Sequence, residues 1–374
     1  MIHFQYKFII SIILFGSTCI VAKCTDGEIR SIRSTSQSNV TCSPIISDSV
    51  DADCELNGVK VDCSKPAVDG TMARAKCKAY YVAGNVQNHV RICRDGSWDY
   101  PLMKCVPECG QLPFKAQPLS LIGKPEEDTS VVPWHVGVYK GNKTNQYTEI
   151  CGGSIISPNI IVSVAHCFTS LDGTLSDAKQ YIVAGGKHYR NYYNTQDISA
   201  QKIQVKEIVI PPQFRGQLTN YISDIAFVVL EKPFTITRTV QPVCVDWSNQ
   251  YESSQLIENN AGKIASWGIP NESIQQLNIP FIELAQCINE LPTSLVRYIT
   301  ADKFCAGYTS GMGVCLGDSG NGLAFKRKDT NQYYLRGVAS IGSVIDASCK
   351  SESYQIYTKI SNYLSLLQTI VNRE

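Results

Sequence analysis

Charge, histidine and long apolar runs are all scarce in this sequence. Only 18% of its 374 residues are charged, and 34 basic residues stand against 33 acidic ones for a net charge of +1. That balance gives neither a nucleic acid nor an anionic membrane an electrostatic footprint. The apolar run Phe8–Gly16 (FIISIILFG) falls far short of the ~20 residues that span a bilayer. The clustered cysteines contain no CxxC pair with a histidine partner, and His89, His135 and His188 lack HExxH spacing. Zinc is therefore not expected, these histidines read as structural, and no metal or organic cofactor is called for.

Cysteine, by contrast, is abundant. Sixteen thiols belong in an oxidising compartment, where disulfides form and persist. The N-terminus agrees: a lysine at position 7, the short apolar run and then small residues predict a secretory signal peptide over 1–22, hence a secreted, extracellular protein. Cleavage after Ala22 removes Cys19 and leaves an odd number of thiols, whereas cleavage after Thr18 leaves an even one. Sequons at Asn39, Asn142 and Asn271 are glycosylation candidates.

Residues 23–53 begin with a stretch rich in Ser, Thr and Arg and read as a linker or the remnant of a module. Residues 54–108 are crowded with cysteines, so disulfides are expected to staple a small β-rich unit whose apolar core is thin. The run from Cys77 (CKAYYVAGN) through Cys93 (CRDGSWDYPLMKC) to Cys105 resembles the end of a complement control (sushi) module. That resemblance pairs Cys77 with Cys105, sends Cys93 upstream to Cys54 or Cys63, and makes Trp98 the core of the module.

Further along, three chemical residues stand in suggestive settings. GVCLGDSGNG at Gly313–Gly322 sets Ser319 in a glycine-rich turn after Asp318. Such a turn can aim the Gly317 and Ser319 amides at a developing oxyanion while the hydroxyl attacks a carbonyl. The serine needs an imidazole, and the imidazole a buried carboxylate. VSVAHC ends an apolar run at His166, and SDIAFVVL opens one at Asp224. Singly, these could be a core histidine, a strand-leading cap and a turn residue; together they stand in the order His, Asp, Ser.

With CGGSIIS at Cys151, QPVC at Gln241, SWG at Ser266 and YTKI at Tyr357, residues 121–374 resemble a chymotrypsin-like serine protease domain of the trypsin family. The fold implied is all-β: a small disulfide-rich sushi-like module followed by a two-barrel protease domain with a C-terminal helix. Short β-branched runs at Asn159–Val164, Tyr181–Ala184, Ile208–Ile210 and Gly337–Ile341, between Gly, Pro and Asn turns, suit such barrels. Ile360, Tyr363, Leu364, Leu367, Ile370 and Val371 follow helical spacing.

The resemblance also implies disulfides Cys151–Cys167, Cys287–Cys305 and Cys315–Cys349, and mates Cys244 with Cys109, which would tether a pro-segment over 109–120. Members of that family begin their mature chain at an Ile-Val-Gly-Gly-like string, and LIGK at Leu121, at the family's usual twelve residues before Pro133, resembles it, which implies an activation bond at Ser120–Leu121. The freed amine would then pair with Asp318. Gly313 falls at the base of the specificity pocket, with Gly342 and Gln355 as walls. A pocket without a carboxylate disfavours a buried cationic side chain, so specificity is expected to be chymotrypsin- or elastase-like. AQPLS before the bond is no tryptic site, and the zymogen is a candidate for autoactivation.

The layout as a whole resembles the insect modular serine proteases, which initiate haemolymph immune cascades, although the low-density-lipoprotein-receptor repeats of that group are missing. Expected partners are protein substrates such as a downstream zymogen, serpin-type inhibitors, and a recognition protein at the sushi-like module. A venom, salivary or digestive protease is the alternative, and a non-catalytic homologue the alternative from another class. Homologues of that last kind commonly lose His166, Asp224 or Ser319, all of which are present.

Overall fold

The computed structural model describes residues 40–374 except 85–87, 114–130, 143, 145, 171–172, 268–272, 311–316 and 343–352. The signal segment, Asn39, Asn271, Ser120, Leu121, Gly313 and the Cys315–Cys349 pair lie outside the described residues.

The N-terminal region is a five-stranded antiparallel sheet in the order β2-β1-β3-β5-β6. Its strands are β1 (Val50–Leu56), β2 (Val59–Val61), β3 (Met72–Cys77), β5 (Val90–Arg94) and β6 (Ser97–Trp98). A second ribbon pairs β4 (Tyr81–Ala83) with β7 (Cys105–Pro107). The buried set Val50, Ala75, Met103 and Cys105 is small for a core. Disulfides Cys42–Cys93, Cys54–Cys63 and Cys77–Cys105 supplement it.

Two of these links correct the sequence reading, which sent Cys93 to Cys54 or Cys63. The β1–β2 hairpin sets Cys54 opposite Val61, so Cys63, just past the hairpin's end, takes Cys54. Cys93 instead meets Cys42, whose segment is stitched by two backbone bonds to Ala67. Cys42 and most of β1 thus lie within 23–53, the stretch read as a linker or the remnant of a module. Trp98 is half-buried, donates its Nε1 proton to Ser43 O at 2.9 Å and carries the Arg91 guanidinium over its ring at 4.7 Å.

Residues 135–359 build two closed six-stranded barrels. The first runs β10-β13-β12-β11-β8-β9, from β8 (His135–Gly141), β9 (Tyr147–Ser157), β10 (Ile160–Ser163), β11 (Tyr181–Gly185), β12 (Gln201–Val209) and β13 (Ala226–Leu230). The second runs β14-β15-β16-β19-β18-β17, from β14 (Ala261–Trp267), β15 (Ile274–Ile282), β16 (Lys303–Ala306), β17 (Gly322–Lys326), β18 (Tyr333–Ile341) and β19 (Gln355–Lys359). Closure leaves no free sheet edge. Every residue of β10 and β13 is buried, which is why both read as continuous apolar runs rather than as alternation.

A 3-10 turn over Ile360–Tyr363 leads into the C-terminal helix Leu364–Arg373. Ile360, Leu367 and Ile370 join the main apolar cluster, so the stripe at helical spacing is a docked face. Asn142 is exposed in the turn between β8 and β9, its Oδ1 accepting from the Thr144 and Gln146 amides and the Thr144 hydroxyl.

Candidate active site

His166 sits in a single 3-10 turn, Ala165–Cys167, at the end of β10. The Cys151–Cys167 disulfide fastens that turn to β9. The cluster Cys151, His166, Cys167 has the composition of a metal site, but both sulfurs are taken up in the disulfide and offer no thiolate. Asp224 stands two residues before β13 and has no solvent exposure. It engages His166 twice: the His166 amide donates to Oδ1 at 2.9 Å, and the ring Nδ1 lies 2.8 Å from Oδ2. A third donor, the Ser340 hydroxyl from β18, reaches Oδ2 at 2.6 Å. The Thr358 hydroxyl of β19 donates to the Asp224 carbonyl at 2.7 Å.

These contacts set the protonation balance. Burial pulls the His166 pKa down, but the charge and hydrogen bond of Asp224 outweigh it, and the imidazole ends above its ordinary value. Burial pushes Asp224 up, yet His166, Lys303 and Ser340 together hold its carboxyl below the usual range. When the imidazole is neutral, the Asp224 carboxylate fixes the tautomer that carries the Nδ1 proton and leaves Nε2 as the acceptor. His135, by contrast, is buried edge-on against Trp267 with its pKa lowered to about 3, and stays neutral.

Ser319 comes to the same place by backbone bonds. Its carbonyl accepts from the Gly152 amide at 2.8 Å, one residue from Cys151, and the Gly320 amide donates to Ala339 O at 2.8 Å, one residue from Ser340. The turn needs its glycines: Gly317 and Gly320 have φ of 98° and 87°. A Cβ on Gly320 would lie 2.4 Å from both Gly152 O and Ser163 Oγ. Asp318 is buried, accepting from the Ser266 hydroxyl at 2.6 Å and from Asn321 Nδ2 at 3.0 Å. Against Gly317 packs Arg190, which pairs with Glu149 through Nη2 at 2.7 Å. Burial lifts Glu149 to about 7 despite that arginine.

His166, Asp224 and the Ser319 turn are thus brought together by strands from both barrels. Of the expected pocket residues, Gly342 and Gln355 are neighbours: Gln355 is buried, and its side chain passes 3.2–3.3 Å from where a Gly342 Cβ would stand. The structure links Cys109 to Cys244 and Cys287 to Cys305. Ser340, Thr358 and Ser266 were not singled out in the sequence as partners of Asp224 and Asp318, although Ser266 and Thr358 stand in the SWG and YTKI strings that carry the resemblance and Ser340 lies two residues before Gly342.

Residues 121–367 match the family model described as trypsin. Among curated proteins the chain is 30% identical over 330 residues to "Modular serine protease" of Drosophila melanogaster, covering 86% of this chain and 51% of that protein. It is 28% identical over 314 residues to "Clotting factor C" of Tachypleus tridentatus, covering 81% of this chain and 30% of that one. "Clotting factor G beta subunit" of the same organism is 29% identical over 250 residues, which is 64% of this chain and 75% of that protein. The chain spans about half the length of the first of these relatives and less than a third of the second.

Proposed function

The chain belongs to the trypsin family, and from that premise we propose that it is a secreted serine endopeptidase, made as a zymogen, that acts within an extracellular proteolytic cascade. The observation that carries the reading is the buried Asp224 carboxylate 2.8 Å from His166 Nδ1, beside the Ser319 turn. Ser319 attacks the scissile carbonyl, His166 takes its proton and returns it to the leaving amine, and Asp224 fixes the tautomer and stabilises the imidazolium. The Gly317 and Ser319 amides hold the oxyanion, a contribution of roughly 10²- to 10³-fold in rate per donor. No step calls for a metal or cofactor.

Activation proceeds by cleavage at Ser120–Leu121. The new amine turns inward to Asp318, exchanging that carboxylate's present bonds for an ion pair and shaping the oxyanion turn. The Cys109–Cys244 disulfide keeps the N-terminal region attached afterwards. A pocket with Gly313 at its base and Gly342 and Gln355 at its walls takes apolar or small side chains, which suits Leu119 and Ser120 and makes self-activation the natural trigger. Likeness to a modular serine protease and to clotting factors supports an upstream place in a cascade, with a downstream zymogen as substrate. Serpin-type inhibitors, and a recognition protein at the sushi-like N-terminal region, complete the proposed partners.

The test is to purify the zymogen, incubate it alone, sequence the new N-terminus and profile cleavage on a peptide library. A terminus at Leu121, absent in Ser319→Ala, with apolar or small preference, supports the whole reading. Ser319→Ala zymogen that is still cut at Ser120 with no other protease present overturns self-activation. Material that stays inactive after cutting overturns the endopeptidase itself.

A further inference from the structure

On the backbone side of Asp224 lies a second buried charge pair. Lys303 opens β16 with its side chain fully buried, and Nζ stands 3.5 Å from Oδ2 of Asp302, the residue before it. A buried ammonium persists only when its protons find acceptors. Here Nζ donates to Tyr221 O at 2.8 Å and to Thr358 Oγ1 at 2.9 Å, and Thr358 in turn donates to the Asp224 carbonyl. Asp302 is equally engaged: Oδ2 accepts from the Ser223 amide at 2.9 Å and the Tyr363 hydroxyl at 2.6 Å, and Oδ1 from Thr300 Oγ1 at 2.5 Å.

What the pair grips is a loop of unfavourable backbone. Asn220, Tyr221 and Ser223 have φ of 50°, 55° and 59°, all left-handed and none of them glycine. Such residues persist only where their surroundings over-determine them. Lys303 holds the Tyr221 carbonyl and Asp302 the Ser223 amide, so two of the three are fixed by the charge pair. The next residue is Asp224, and the Tyr221 ring stands edge-on to His166 at 6.1 Å between centroids.

We propose that Asp302 and Lys303 form a positioning clamp for the reaction, holding the left-handed loop 220–223 so that Asp224 and Tyr221 keep their places against His166. The role in the reaction rests on the endopeptidase reading above; the placement of His166 does not. The charged and titratable groups facing the pair are Asp224 and Tyr221 from the loop, His166 beyond them, and Tyr363 from the turn before the C-terminal helix. The Lys303 charge also reaches the imidazole, drawing its pKa downward against the pull of Asp224.

Two variants test the clamp. Lys303→Met removes the cation at similar length, and Asp302→Asn/Lys303→Met removes both charges so that no buried ion is left unpaired. The readouts are kcat, KM and pH profile of the activated protein, and the His166 Nδ1 proton resonance followed by NMR, which needs no turnover. In both variants kcat falls by tens of fold, below the roughly 100-fold that a 1 Å misplacement costs, while KM holds. In Lys303→Met the His166 titration midpoint also rises, because the cation is gone. A folded double variant with unaltered kcat and an unmoved His166 resonance overturns the clamp. Should neither variant be secreted, the unaltered protein decides: the Ser223 amide must exchange slowly with solvent, and rapid exchange overturns the clamp. An unaltered protein inactive on every substrate, but with the expected His166 behaviour, overturns the endopeptidase reading and leaves the placement of His166 standing.

Discussion

Asp224 accepts from three donors while shut away from water, and each bond can be probed singly. Ser340→Ala leaves the carboxylate one donor short. A hydrogen bond to a charged group is worth about 1.5–3 kcal/mol, so kcat should fall roughly ten- to a hundredfold with KM held. Unchanged kcat in Ser340→Ala would show that His166 alone suffices to hold Asp224. The same residues set the pH response. His166 must be neutral to accept a proton, and Asp224 raises its pKa, so the acid limb of kcat/KM should lie above the ordinary ~6.5 of histidine. For stability the signs are opposite within the couple. The raised His166 contributes below its unfolded pKa and loses that contribution as pH rises through the folded value, whereas the lowered Asp224 contributes at higher pH and loses it as pH falls. Glu149 behaves like His166 in sign: lifted to about 7 from 4.5, it makes the fold less stable as pH rises across that window, and Glu149→Gln should flatten the slope in denaturant melts taken there. His166, Asp224 and Ser319 were legible in the sequence because each sits in a short local string. Ser340 was not, since its bond to Asp224 spans 116 residues and exists only once the barrel closes.

Among the elements, strands and the terminal helix announced themselves by pattern. The run Asn159–Val164 became the fully buried β10 and Tyr181–Ala184 became β11, buried except at the half-buried Ile182, because strands sunk in a barrel wall need continuous apolar residues. The end of the chain reads as a helix through Leu367 and Ile370, both buried against the main apolar cluster. Leu367→Ala should cost about 3 kcal/mol, seen as a lowered midpoint in denaturant melts, and a neutral result would mean that the helix is not docked there. The N-terminal hairpin was less legible. Its cysteine partners depend on strand register, which the spacing of six clustered cysteines does not encode. Turn glycines fall between these cases: Gly320 is visible as part of GDSG, but its necessity follows from the approach of Gly152 O and Ser163 Oγ to where its Cβ would be.

For the molecule as a whole, the decisive link is the one between Cys109 and Cys244, which crosses 135 residues and ties the N-terminal region to the strand-paired domain. The attachment is more than a disulfide. The Gly110 amide donates to Pro242 O at 2.8 Å, its carbonyl accepts from Tyr333 at 2.9 Å, and a Cβ there would lie 2.4 Å from Tyr333 O. Gly110 also has φ of 67°, so the segment is moulded to its seat and a side chain has no room. Cleavage at Ser120–Leu121 should therefore yield two pieces that migrate as one on a non-reducing gel and as two after reduction. Cys109→Ser should release the N-terminal piece from the cleaved protein in size-exclusion chromatography under mild denaturant, while leaving peptide hydrolysis by the barrels intact. Separation of the unaltered cleaved protein without reductant would remove the tether.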